Sequence, residues 1–162
     1  MATQPLHRPL CAADVCRSAG RLMMACGYAC LAEVPVPGGR RVDLMALSGR
    51  GEIVVVEIKV SRADLAGDGK WPDYLAWCDR FYWALPEGLD AGILEREDYL
   101  PERVGLIRAD RYEAAVVREA ANVPLAPARR KAQTLRFATR AASRLQLRED
   151  EGLAALVATA GF

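Results

Sequence analysis

The sequence has a single histidine, His7, and no Cys-x-x-Cys pair among its five cysteines. A zinc centre built from paired thiols and imidazoles is therefore excluded. The cysteine count is odd, and Cys11, Cys16, Cys26, Cys30 and Cys78 fall on or beside apolar positions, so they read as reduced thiols. No apolar run approaches the roughly 18 residues that cross a bilayer, and no apolar stretch with a cleavage site follows the N-terminal basic pair His7-Arg8. Neither a membrane span nor a signal peptide is expected. Charge of one sign is lacking too: the formal net charge is +1, which gives no global attraction to a polyanion. What is present is 162 residues, 52% hydrophobic and 27% charged, enough to bury one full core.

Residues 1–8 read as a flexible N-terminal arm, and residues 9–162 as a single domain. Between Leu10 and Gly27, Val15, Ala19, Leu22, Met23 and Cys26 recur at helical steps. Strands are expected at Tyr28–Val36, Val42–Leu47 and Ile53–Val60. The last is nearly continuous Val and Ile, as in a strand covered on both faces. Short helical segments follow at Arg62–Ala66 and Lys70–Cys78, then a strand at Arg80–Leu85 and a helix with loops over 87–101. Strands are expected again at Val104–Arg108 and Tyr112–Glu119. A long basic helix over about 126–145 and a terminal helix at Glu151–Ala160 complete the chain. This order implies an α/β fold, with a mixed central sheet flanked by helices on both faces.

Asp43 and Glu57 stand out. The turn Ser48-Gly49-Arg50-Gly51 centres the hairpin on Arg50, which places Asp43 opposite Glu57 with Cβ atoms about 5 Å apart. Lys59 projects from the same face as Glu57. Charges on an apolar strand are costly unless paired or bound to a metal. Two readings follow. In one, the carboxylates hold Mg²⁺ or Mn²⁺ and Lys59 stabilises developing charge on a phosphoryl group. In the other, an ion pair with Lys59 fixes the hairpin register.

Arg40-Arg41-Val42-Asp43, thirteen residues, then Glu57-Ile58-Lys59, resembles the motif of the PD-(D/E)xK nuclease superfamily. The longer stretches GRRVDLMALSGRGEIVVVEIKVSRADL and DGKWPDYLAWCDRFYWALPEGL, with PARRKAQTLRFATRAASRL further on, resemble the MmcB-like family of bacterial DNA repair proteins. The resemblance spans most of residues 27–145. It implies a restriction-endonuclease-like core, a role in DNA repair and a cytoplasmic location. It also implies that Asp43 and Glu57 are metal ligands and Lys59 the catalytic lysine. Val42 stands where the superfamily usually has proline. The first helix has no acid except Asp14, so Glu33 is the expected additional metal ligand.

Further contacts to DNA are expected from Arg40 and Arg41, the latter facing Lys59 across the hairpin. Lys70 is placed at a phosphate and Trp71 on a base, with a core position as the alternative for Trp71. On the long helix, Arg129, Gln133, Arg136, Arg140 and Arg144 form one stripe and Leu135, Ala138, Ala142 and Leu145 another. Arg136, Arg140 and Arg144 would then track a phosphate backbone. The implied activity is metal-dependent hydrolysis of DNA phosphodiesters, as an endonuclease. A non-catalytic DNA-binding accessory and a protein scaffold are the rivals. By analogy with resolvase-like cores, a homodimer is expected as well.

Overall fold

A computed structural model describes residues 8–153 and 155. Of the expected arm, residues 1–7 lie outside the described residues, as does most of the expected terminal helix. Arg8, assigned to the arm, is anchored: its guanidinium meets Asp14 at 2.9 Å, and its carbonyl accepts from Arg111.

Six strands form one mixed sheet in sequential order. They are β1 (Tyr28–Val36), β2 (Arg40–Ser48), β3 (Ile53–Ile58), β4 (Arg80–Pro86), β5 (Gly105–Ala109) and β6 (Ala114–Arg118). β1, β2 and β3 are antiparallel, β3–β4–β5 parallel, and β6 returns antiparallel. Parallel strands need a crossover. Between β3 and β4 it contains α2 (Arg62–Gly67) and a 3₁₀ segment, Trp71–Ala76. Between β4 and β5 the expected helix is replaced by two 3₁₀ turns, Gly92–Glu95 and Glu97–Tyr99. Pro86, Gly88 and Pro101 break up that segment, and Leu100 takes a left-handed φ of 50°.

Helices cover both faces, as expected for this α/β class. α1 (Ala12–Ala25) lays Val15, Ala19 and Met23 on one face, against Leu44, Val54, Val56 and Ile107. On the other face, Val55, Phe81 and Trp83 pack under Leu65, Trp71, Tyr99 and Phe137 of α3 (Pro127–Glu149). Trp71 is therefore core: its ring lies 5.5 Å from Phe81 and 5.6 Å from Trp83, and it is not placed to stack on a base. All five cysteines are free, but only Cys78 is buried, while Cys11 and Cys26 are exposed.

The faces of α3 correct the expected stripes. Gln133 is wholly buried and Phe137 nearly so, whereas Leu135 and Leu145 are each 56% exposed. Ala138 and Ala142 are exposed too. The sheet-facing row is Phe137 flanked by the stems of long polar side chains, which cover apolar surface while their heads find partners. Arg130 forms two 2.7 Å hydrogen bonds to Asp79, whose carboxylate also accepts the N–H groups of Ile53 and Leu125. Asp79 thus ties β3, the segment before α3, and α3 itself together. Asp79→Ala leaves a cation and two backbone donors without their acceptor, and is expected to cost about 3 kcal/mol in urea unfolding. A loss under about 1 kcal/mol would show that α3 is held some other way.

Candidate metal and nuclease site

The hairpin register centred on Arg50 is observed. Leu47 pairs with Ile53, Met45 with Val55 and Leu44 with Val56. One step further the backbone ladder stops, and side chains continue it. Glu57 Oε1 accepts the N–H of Asp43 at 3.1 Å, and Asp43 Oδ2 accepts the N–H of Ile58 at 2.8 Å. The two carboxylates are therefore crossed between β2 and β3, each pinned by one oxygen. Among the described residues, Asp43 Oδ1 and Glu57 Oε2 have no hydrogen-bond partner.

The position of Asp43 depends on a break in the pleat. Val42 and Leu44 are two apart on one strand yet face opposite cores, as do Val34 and Ala32 on β1. Regular strands keep such pairs on one face. The break falls at Glu33, a non-glycine residue with φ 53°, and β1–β2 pairing skips the Glu33–Asp43 step. Arg144 clamps this point from α3 by donating to the carbonyls of Ala32 and Glu33. Arg144 is thus committed to the fold, and the expectation that it tracks phosphates is corrected.

Glu57 is 3% exposed. Burial first, and repulsion from Asp43 second, push its carboxyl up to about 8; the Asp43 N–H and Lys59 offset part of this. Lys59 extends past Glu57, its ammonium 2.7 Å from Asp68 and 5.9 Å from the centre of the Trp83 ring. Burial acts to lower its pKa, but the Asp68 carboxylate outweighs that, and the net shift is upward. Asp68 ends α2 and also accepts the Lys70 N–H. An open cleft of about 540 Å³ runs over Asp43, Ile58, Lys59, Asp64, Asp68 and Lys70. Asp68 was not assigned from the sequence. The available signal was an acid in the glycine-bounded turn Gly67-Asp68-Gly69, just beyond the lysine strand.

Other expected residues do not join this group. Glu33 turns to Arg41, at 3.5 Å. Arg41 pairs with Pro35 on β1 and, because β3 ends at Ile58, has no strand partner opposite at Lys59. Arg40 forms an ion pair with Asp73 at 2.8 Å. Asp14 is spent on the N-terminus of α1, where it accepts the Cys11 N–H beside Arg8 and Arg17. Among the described residues no group of three or more His, Cys, Asp or Glu side chains gathers. Arg136 donates to Gln133, and Arg140 is exposed and without a partner among the described residues. Two pinned carboxylates with one uncommitted oxygen each are the chemistry a hard divalent cation would take, although Asp43 lines the cleft and the buried Glu57 does not. The arrangement does not provide Glu33 as a third ligand.

The sequence profile of the family described as "DNA repair protein MmcB-like" matches residues 4–152, and the chain belongs to that family. A solved structure, the SPO1766 protein of unknown function from Silicibacter pomeroyi, is 42% identical over 94% of this chain and 97% of its own, with a TM-score of 0.79. A repair endonuclease from Pyrococcus abyssi is 20% identical over 68% of this chain and 50% of its own, with a TM-score of 0.44. No curated protein matches the chain. No helix among the described residues is long and apolar enough to cross a membrane.

The raised carboxyl of Glu57 makes stability pH-dependent. Above the ordinary carboxyl range the unfolded chain has released this proton while the folded chain retains it. This group therefore lowers stability as pH rises, until about 8. Glu57→Gln is expected to flatten the fall in melting temperature between pH 5 and about 8. An unchanged pH profile in the variant would remove Glu57 as its source.

Proposed function

We propose that this MmcB-like chain is a metal-dependent DNA endonuclease acting in repair in the cytoplasm, with Asp43 and Glu57 as ligands to Mg²⁺ or Mn²⁺. The observation that carries this reading is the crossed pair. Each carboxylate spends one oxygen on a backbone N–H and keeps the other free, beside a lysine at the rim of an open cleft. A cation bound there would polarise the phosphoryl group and supply an acidified water. Asp43 and Glu57 would hold that ion, and the strands that pin them keep both carboxylates in place. Lys59 holds a proton on Nζ at the cleft, where it meets negative charge developing on a phosphate oxygen. Lys70 and Arg140 are cations without an ion-pair partner among the described residues and are the remaining phosphate contacts.

A second reading, a DNA-binding repair accessory without catalysis, is favoured by one observation. Lys59 is already paired with Asp68 at 2.7 Å. A cleavage assay on single-stranded, branched and duplex DNA separates the two. Activity that needs Mg²⁺ or Mn²⁺ and falls at least 100-fold in Asp43→Asn, Glu57→Gln and Lys59→Ala is expected. Binding without cleavage on every substrate would leave the accessory reading.

Arg140 and Arg144 on α3 are expected to differ. Arg140→Gln should reduce the slope of log K against log salt by about 0.9 on duplex DNA, or about 0.7 on a single strand, leaving the melting temperature unchanged. Arg144→Gln should lower the melting temperature and the stabilisation by Mn²⁺, because it releases the pleat break beside Asp43. The reverse assignment in the two measurements would show that Arg144, not Arg140, faces the DNA.

A further inference from the structure

α3 carries seven lysines and arginines from Arg129 to Arg148, yet its outward face is apolar. Lys131, Leu135, Ala138, Ala142, Leu145 and Glu149 recur at steps of four, three, four, three and four, and all are exposed. This is the a/d spacing of a helix-pairing seam. The opposite face, with Arg130, Gln133, Phe137 and Arg144, is occupied by the sheet and its loops. A single exposed leucine requires no explanation. Two leucines at 56% exposure, aligned with two alanines on one seam, form a surface of the kind that pairs with another helix.

The order of residues along the seam identifies the partner. Read from either end it gives a charge, leucine, alanine, alanine, leucine and a charge of opposite sign. Such a series is self-complementary under a two-fold axis perpendicular to the helix, level with Arg140. Antiparallel to a second copy, Leu135 meets Leu145, Ala138 meets Ala142, and Lys131 meets Glu149, twice over. The central alanines let the two helices approach closely, and the leucines close the seam on each side. A parallel pairing would bring like charges together at both ends. Rim ion pairs add little affinity, but they do select orientation.

We propose that the outward face of α3 is a homodimer interface, an antiparallel pairing with α3 of a second copy of this chain. The interface stands apart from the cleft at Asp43 and does not depend on what that cleft does.

Sedimentation velocity of the full chain, from about 1 µM to about 0.3 mM, is the test. A reversible monomer–dimer equilibrium is expected. Leu135→Glu with Leu145→Glu should give monomer throughout, with an unchanged circular dichroism spectrum because both positions are exposed. Lys131→Glu and Glu149→Lys should each raise Kd about tenfold, and the double variant should restore it to within about twofold. A wild-type monomer across the range overturns the proposal. So does a dimer that survives the two glutamates, or a charge swap that stays as weak as the single variants.

Discussion

Asp43 sits where two neighbouring strands lose their alternation, and the site is built around that break. The chain reaches it by holding Glu33 in the left-handed region, which costs a non-glycine residue about 1–2 kcal/mol. Two groups oppose relaxation. Arg144 takes the carbonyls of Ala32 and Glu33 from above, and Glu57 takes the N–H of Asp43 from the next strand. With the pleat intact, Val42, Asp43 and Leu44 would alternate normally, and the pairing of β2 with β3 would not need carboxylates to complete it. The strain and the free carboxylate oxygens therefore have one origin.

The charges beside the break have opposing tendencies, and burial decides how they settle. Glu57 is buried almost completely next to another carboxylate, so the neutral form is favoured at pH values where an exposed carboxyl is charged. Lys59 is only half-buried, at the cleft, and keeps its charge because Asp68 is 2.7 Å away. The result is an acid that resists ionising beside a base that retains its proton. A divalent cation of the kind proposed would reverse the first tendency by attracting the ionised form of Glu57.

Most strands were legible in the sequence because they are bounded by proline, glycine and charge. Tyr28–Val36 was read with its observed bounds, and the hairpin register followed from the turn at Gly51, whose φ of 82° a side chain would oppose. The opposition of Asp43 and Glu57 followed from that register. The break at Glu33 was not legible, since a glutamate in the left-handed region has no local signature. It follows from Arg144, 111 residues away in sequence. For the same reason Arg41 and Glu33, placed at the site by alternation alone, turn out to pair with each other. Asp68 was missed because strand periodicity does not extend into the turn that carries it.

α3 shows how a helix can be misread when hydrophobicity alone chooses its inner face. Its most apolar row is outside, and its inner row holds Gln133, Phe137 and two arginines. The inversion is stable because an arginine stem is as apolar as a leucine of similar length, while its head finds Asp79 or a carbonyl that would otherwise lack a donor. A leucine at 130 or 144 would fill the same space and leave those acceptors unpaired, at a cost of about 1–3 kcal/mol each. The polar partners on the sheet therefore determine which face turns inward, and the leucines are left on the outer face. The basic character of the helix is correspondingly smaller in function than in count. Arg130 and Arg144 belong to the fold, and the cations that remain outward are those an anionic partner would meet.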